Sequence, residues 1–288
     1  MRTPFRLLAL LFCLLGSVVH GAEPTNAPAP VRVVSQTVGT DELLLALAEP
    51  GQIAALSHLA RRPEFSVTAQ EAEAYPQISI GDAETILKFN PTLVLCADYS
   101  RTELVAQLRR AGVEVLLFDR YKTLADSYAN LRLLARELGA EEKAEAVIAD
   151  CERRVAALRT RLADAKPVRV VAPSIYGLLP GTDTTFDDLC THAGAENLGA
   201  TLGHLVGHAP VPTEQMITWP VDKVVVMGDT DPVRALEPYR DLLPYKFMAA
   251  VREGRVALLS PPLMSCVTHR RIDAYEQLAR QLHPELFP

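Results

Sequence analysis

From Val31 onward, short continuous runs of Val, Ile and Leu alternate with longer stretches whose apolar residues recur every three or four positions. The runs read as strands buried on both faces, and the stretches as helices laid against them. VRVVS from Val31, QIAALS from Gln52, TLVLCA from Thr92 and VEVLLF from Val113 are the first strand signals. Between them stand GTDELLLALA, where Asp41 and Glu42 suit the positive end of a helix, and RTELVAQLRRAG, closed by Gly112. Apolar strands separated by helices predict a parallel sheet covered on both faces.

Between Thr123 and Ala165 the strand signals stop. TLADSYANLRLLAREL predicts a helix ending at Gly139, and a second helix is expected from about Glu141 to Asp164. Its apolar positions Val147, Cys151, Val155, Leu158 and Leu162 form one stripe, opposite Glu152, Arg153, Arg154, Arg159, Arg161 and Asp164. Such a helix is roughly 35 Å long, enough to cross from one lobe to another. After Pro167 the alternation restarts with VRVVAPS, then the helix TTFDDLCTHAGA capped at Thr184 or Thr185 and closed at Gly194. KVVVMG and RVALLS are the later strands, with the helices VRALEPYRDLL and DAYEQLARQL among them.

Two stretches repeat one plan. AETILKFNPTLVL from Ala83 and TEQMITWPVDKVVVM from Thr213 each place a glutamate (Glu84, Glu214) before an apolar pair, an aromatic, a proline and a strand. The fold class that follows is α/β, with two Rossmann-like lobes of parallel sheet joined by one long helix and a ligand cleft between them. The lobes are assigned to 31–122 and 167–288, with the helical segment at 123–166.

The N-terminus changes the picture. Arg2 and Arg6 precede LLALLFCLLGSVV, which is short for a membrane span, and VHGAEP offers small residues for cleavage near Ala22. Residues 1–22 read as a signal peptide and 23–30 as a flexible leader, so a periplasmic location is expected. Without residues 1–22 the chain keeps 27 basic and 35 acidic residues, a formal charge of −8. That excess argues against nucleic acid or anionic lipid as a partner. Cys96, Cys151, Cys190 and Cys266 form no C-x-x-C pair, so a zinc knuckle or thioredoxin-type centre is not expected, and their pairing is open.

GDAETILKFNPTLVL, and the block TTFDDLCTHAGAENLGA with GHAPVPTEQMITWPVDKVVVM, carry a resemblance over about Val31 to Leu282. The chain resembles the helical-backbone (class III) periplasmic binding proteins of ABC importers for cobalamin, ferric siderophores and haem. It departs from the family's Pro-Asp pattern with Pro-Thr at 91–92 and Pro-Val-Asp at 220–222. The resemblance implies a metal-organic chelate as cargo, no resident cofactor, and an inner-membrane ABC permease with its ATPase as partner. It also implies that Glu84 and Glu214 sit on the outer tips of the lobes and pair with permease arginines. A monomer is expected.

In an open α/β sheet, ligands gather beyond the carboxyl ends of the strands. In the N-terminal lobe this rule selects Gln36, Thr37, Val38, His58, Arg61, Arg62, Asp98, Tyr99, Arg101, Asp119, Arg120 and Tyr121. In the C-terminal lobe it selects Ser174, Tyr176, Gly228, Asp229, Met264, Ser265, Cys266, Thr268, His269 and Arg270. The arginines suit an anionic ferric siderophore. Tyr99, Tyr121, Tyr176, His58 or His269 would suit haem iron. A corrinoid would want aromatic and polar contacts, and the only tryptophan, Trp219, lies in the repeat outside this set. His204 and His208 are four apart and would suit a bare metal ion if helical, although nearby glycines and Pro210 favour a loop. An enzyme is the remaining alternative. No G-x-S-x-G, H-E-x-x-H or Walker motif is present to support it.

Overall fold

The computed structural model describes residues 31–288 except Asp229, so the expected signal peptide and leader lie outside the described residues. The first sheet holds β1 (Val33–Ser35), β2 (Ile53–Ala55), β3 (Leu93–Ala97) and β4 (Glu114–Phe118), all parallel in the order β2-β1-β3-β4. Every residue of β1, β2 and β3 is buried, as strands covered on both faces require, whereas the edge strand β4 is half exposed.

The rest of the chain adds β5 (Val168–Val171), β6 (Leu178–Pro180), β7 (Ala195–Asn197), β8 (His208–Pro210), β9 (Lys223–Met227) and β10 (Val256–Leu259). The second parallel sheet runs β10-β9-β5-β7, while β6 and β8 form a separate antiparallel ribbon. Matching β5, β7, β9 and β10 to β1, β2, β3 and β4 makes the two sheet orders identical. The repeated helix–proline–strand units lead into the equivalent strands β3 and β9. The duplication seen in the sequence is therefore one of architecture. β6, β7 and β8 carried no strand signal.

The helix Leu124–Leu138 starts with a reciprocal cap, in which Thr123 Oγ1 accepts from the Asp126 amide at 3.2 Å and Asp126 Oδ2 accepts from the Thr123 amide at 3.0 Å. It ends at Gly139, whose φ of 65° is the left-handed conformation that a C-terminal glycine supplies without strain. The spanning helix follows at Glu141–Arg161, 21 residues or about 31 Å, three residues shorter than its sequence suggests. Its buried residues are Ala144, Ile148, Cys151 and Leu158, while Val147, Val155 and Leu162 are only partly covered.

Ala144 and Ile148 pack with Leu44, Leu95, Leu131 and Leu134 in the first core, and Cys151 and Leu158 pack with Val170, Leu189 and Tyr275 in the second. The helix thus passes from one lobe's core to the other's between Ile148 and Cys151, within a single turn. Fully burying an Ile or Leu contributes about 1.5–3 kcal/mol, so Ile148 and Leu158 fasten the same rod to both halves. Arg154 adds a polar tie to the last helix, Arg271–Leu282, through Asp273 at 2.6 Å and Glu276 at 3.0 Å.

All four described cysteines are buried thiols. Cys96 lies in β3, Cys151 on the spanning helix, Cys190 on the helix Thr185–Ala193, and Cys266 at the junction of the lobes. The structure leaves each of them unpaired.

Candidate functional site

In the first sheet the chain leaves β1 to one side to form β2, then returns across it to form β3. A crevice opens where that direction reverses, beyond the carboxyl ends of β1 and β3. Gln36 and Thr37 follow β1, and Asp98 and Tyr99 follow β3. Gln36 is held by the Ser100 hydroxyl, which donates to its Oε1 at 2.6 Å. Thr37 caps the helix Val38–Leu47 by accepting from the Thr40 amide at 3.2 Å. Ser57 and His58 arrive from the loop after β2. Gln36, Thr37, Ser57 and His58, with Leu59, Phe65 and Tyr99, form the N-terminal wall of a cavity of about 330 Å³. That size falls within the usual range for small-molecule sites.

The second wall comes from the C-terminal lobe. Beyond β10 the segment from Pro261 to Arg270 reaches across to the N-terminal lobe and brings Pro262, Ser265, Cys266 and Val267 to the cavity. Val267 seats directly on Gly39, where an added Cβ would meet its Cγ2 at 2.7 Å. Two residues from Cys266, the Thr268 hydroxyl donates to Glu42 Oε2 at 2.5 Å, and the Cys266 thiol donates to the same oxygen at 3.6 Å. Ser127 Oγ donates to the Val267 carbonyl at 3.4 Å, and Arg270 faces Glu71 at 3.9 Å. This segment is a latch between the lobes as well as a wall of the cavity.

Asp41 and Glu42, expected only to suit the positive end of their helix, are buried groups. The helix Val38–Leu47 is buried from Thr40 to Leu45, and both carboxyls are enclosed, at 0% and 3% exposure. Burial pushes Asp41 up to about 7, although the Ser57 hydroxyl and amide bond to its charged form. Burial likewise pushes Glu42 up to about 7, against the lowering effect of Thr268, Cys266 and Arg270. His269 is driven the other way, down to about 4, because its buried imidazole cannot hold a charge beside Arg270.

Among the described residues, none lining the cavity is lysine or arginine, and Glu42 is its only acid. Of the arginines expected to form a cationic wall, Arg270 is off the cavity lining with its Nε unbonded, and the other four are engaged elsewhere. Arg61 donates to the backbone oxygens of Ala72 and Tyr75, and Arg62 pairs with Glu64 at 3.3 Å. Arg101 donates to the Gly81 carbonyl at 3.4 Å, and Arg120 pairs with Asp126 at 3.0 Å.

Of the residues singled out in the sequence, the cavity brings together Gln36, Thr37, Val38, His58, Tyr99, Ser265 and Cys266. Tyr121 lines a small adjoining recess and donates to Asp98 Oδ1 at 3.1 Å, and its ring meets Tyr99 edge to face with centroids 6.0 Å apart. Tyr176, 83% exposed, stands beyond β5 on the equivalent strand edge of the other lobe. Met264 packs against the C-terminal core and His269 is buried with Nδ1 unbonded, so neither lines the cavity. Glu42, Ser57, Gly39, Phe65 and Val267 line it without having been singled out as cleft residues.

Glu84 and Glu214 are both exposed near the starts of short helices, Ala83–Leu87 and Thr213–Met216. Glu84 is also paired with Lys88 at 3.0 Å. His208 lies in β8 and His204 has a φ of 50°, so the two do not share a helix face. Among the described residues, no group of three or more His, Cys, Asp or Glu could hold a metal ion, and no helix is long and apolar enough to cross a membrane.

Residues 33–263 match the family model described as periplasmic binding protein. A relative from Bacillus subtilis (strain 168), an uncharacterized ABC transporter substrate-binding lipoprotein YvrC, is 22% identical over 270 residues, 90% of this chain and 82% of the relative. Among solved structures, the periplasmic heme-binding protein RhuT from Roseiflexus sp. RS-1 in apo form superposes with a TM-score of 0.73 at 22% identity, covering 90% of this chain and all (100%) of that one. A periplasmic heme binding protein from Pseudomonas aeruginosa gives the same TM-score, 0.73, at 22% identity over 89% of this chain and 94% of its own. At such identities the structural likeness establishes the fold.

Proposed function

The chain belongs to the periplasmic binding protein family, and from that premise we propose that it is the substrate-binding component of an ABC importer for a metal-organic chelate. The cargo is of the haem or siderophore type, corrinoids included. Its site is the cavity between Tyr99 on one lobe and Cys266 on the other. The observation that carries this reading is that one cavity, at the direction reversal of the first sheet, is completed by a segment of the second lobe. Such a site is closed only while the lobes stay together, which suits capture and release without turnover.

Delivery is to an inner-membrane permease and its ATPase, with Glu84 and Glu214 as the two docking points. Exposed ion pairs are each worth about 0–1 kcal/mol, so these carboxylates orient the carrier and do not hold it. The carrier acts in the periplasm as a monomer, after cleavage near Ala22. The names of the structural relatives that bind heme support the cargo class, and the ABC transporter relative supports the partner.

The test is to offer the purified mature protein a mixture of haemin, cyanocobalamin, ferric citrate and a ferric catecholate and to record native mass spectra. One retained adduct, lost when Tyr99 is replaced by alanine, is the expected result. Retention of a bare metal ion and of no chelate would overturn the reading.

A further inference from the structure

The charge of the cavity, taken with the carrier reading on which this inference rests, narrows the cargo. A polyanionic chelate leaving water needs cations where its charges are buried, because an unpaired buried charge costs several kcal/mol. Here the walls present no lysine or arginine among the described residues. Arg61, Arg62, Arg101 and Arg120 are bound to backbone oxygens or to acids, and Arg270, the one cation that acts on Glu42, stands behind the latch 3.9 Å from Glu71 and off the cavity wall. The floor presents a carboxyl instead. Glu42 Oε2 takes both bonds from the latch, whereas no described residue bonds Oε1, and the side chain lines the cavity. On the opposite lobe, the loop after β5 exposes Ile175 and Tyr176, at 54% and 83%, and β9 ends in Met227 at 51%. β5 and β9 flank the direction reversal of the second sheet, so apolar side chains stand at both strand ends, with Asp231 and Arg234 set back in the recess beyond β9.

We propose that the cavity receives a metal chelate whose buried portion is largely apolar and either uncharged or cationic, with Glu42 Oε1 accepting a hydrogen bond from it. An anionic chelate in the same place would meet a carboxyl at the floor and no cation on the walls. A porphyrin meets the description when its ring enters and its carboxylates stay at the solvent edge. Glu42 is thereby a specificity-determining residue in addition to its role under the latch.

Equilibrium dialysis of the mature protein at about pH 8, where most of an acid titrating near 7 is ionised, tests the proposal. The probes are a neutral cyclic ferric trihydroxamate, a linear ferric trihydroxamate bearing an ammonium group, a trianionic ferric tricatecholate, and neutral cyanocobalamin. At least one uncharged or cationic chelate is expected to bind about tenfold or more tightly than the tricatecholate. A charge-assisted hydrogen bond is worth a factor of roughly ten to a hundred, so Glu42→Gln is expected to lower the ratio of ammonium-bearing to neutral trihydroxamate affinity by about tenfold. Glutamine keeps an acceptor for Thr268. Should the variant nonetheless fail to fold, the wild-type charge series alone distinguishes the outcomes. Equal or tighter binding of the tricatecholate would overturn the inference and leave the carrier reading standing. An unchanged ratio in a folded Glu42→Gln protein would remove Glu42 from it. Retention of no chelate, with a bare ferrous or zinc ion retained, would overturn both.

Discussion

The Thr268 hydroxyl of the C-terminal lobe donates to Glu42 Oε2 of the N-terminal lobe at 2.5 Å, beneath a cavity that both lobes line. The bond joins residues 226 positions apart and is enclosed on both sides, with Thr268 at 1% exposure and Glu42 at 3%. Lobe contact and cavity floor are therefore the same group of atoms. Anything that changes the Glu42 carboxyl changes both.

Glu42 gives the protein a pH dependence of known sign. Its carboxyl rises from an ordinary 4.5 to about 7 because burial disfavours the charged form, so between those values the folded protein holds a proton that the unfolded chain has released. Stability from this group is greatest below about pH 4.5 and falls as pH rises through 7, by about 3 kcal/mol at the limit. Glu42→Gln removes that fall. Thermal melts of the ligand-free proteins are expected to show the variant gaining on the wild type from pH 5 to pH 8. Asp41, Cys266, Arg270 and Asp273 surround the group in both proteins, and buried His269 loses stability in the opposite direction, as pH drops from 6.5 toward about 4, in both. Parallel curves would mean that Glu42 titrates normally.

Much of this architecture is legible in the sequence because the first lobe's inner strands must be apolar on both faces, and Val33, Leu93 and Leu95 are. The strand-end rule then finds Gln36, Thr37 and Tyr99 without knowledge of their neighbours. β7 escapes because Ala195, Glu196 and Asn197 have little strand preference of their own and are held by register with Val168, Arg169 and Val170. Glu42 escapes for a different reason. An acid near the start of a helix is explained locally by the helix dipole, and only the latch, far along the chain, turns it into a buried group. The hint lay in GTDELLLALA itself, since a helix apolar on all sides has no solvent face on which to place an acid. Met264 and Val267, three residues apart, part company through the path of one loop, which no local pattern encodes.

The latch should respond to a single methyl group. Replacing Gly39 by alanine puts a carbon 2.7 Å from Val267 Cγ2, an overlap that must be relieved by moving the latch. Overpacking of this kind costs about 1–3 kcal/mol, whereas glycine to alanine within a helix ordinarily gains up to about 1 kcal/mol. A net loss in Gly39→Ala, recovered in part when Val267→Ala is added, is the expected outcome of a double-mutant cycle by urea unfolding. Strict additivity would separate the two residues.

Arg271 and Asp188 should behave as one unit. Arg271, 3% exposed, donates to Asp188 Oδ2 and to the Lys122 carbonyl, each at 2.9 Å, and to the Tyr121 carbonyl at 2.6 Å. Tyr275 donates its hydroxyl to the same carboxylate oxygen. Arg271→Met leaves that carboxylate buried without its cation, a loss of about 3–5 kcal/mol. Adding Asp188→Asn removes the stranded charge, so the double variant is expected to lose less than the two single variants together. The urea midpoint at unchanged slope reads the difference.

Docking and binding should separate cleanly. Glu84→Ala with Glu214→Ala removes two exposed carboxylates outside the cavity. Ligand affinity by dialysis is expected to stay within a factor of about two of wild type, because neither residue lines the site. Transport into liposomes bearing the permease and its ATPase is expected to drop several-fold, and more steeply at low ionic strength, where exposed charges are least screened. Unchanged transport would remove both glutamates from the docking surface.

The buried thiols have a use that their inertness conceals. Burial raises Cys96 and Cys151 to about 11 and Cys190 and Cys266 well above their ordinary value, and only a thiolate reacts readily. Each is therefore silent until its own surroundings open. Because one lies in the first sheet, two in the core of the second lobe and one at the junction, they form a set of clocks for local opening. The sequence in which a thiol reagent reaches them is the sequence in which the molecule comes apart, and Cys266 times the parting of the lobes.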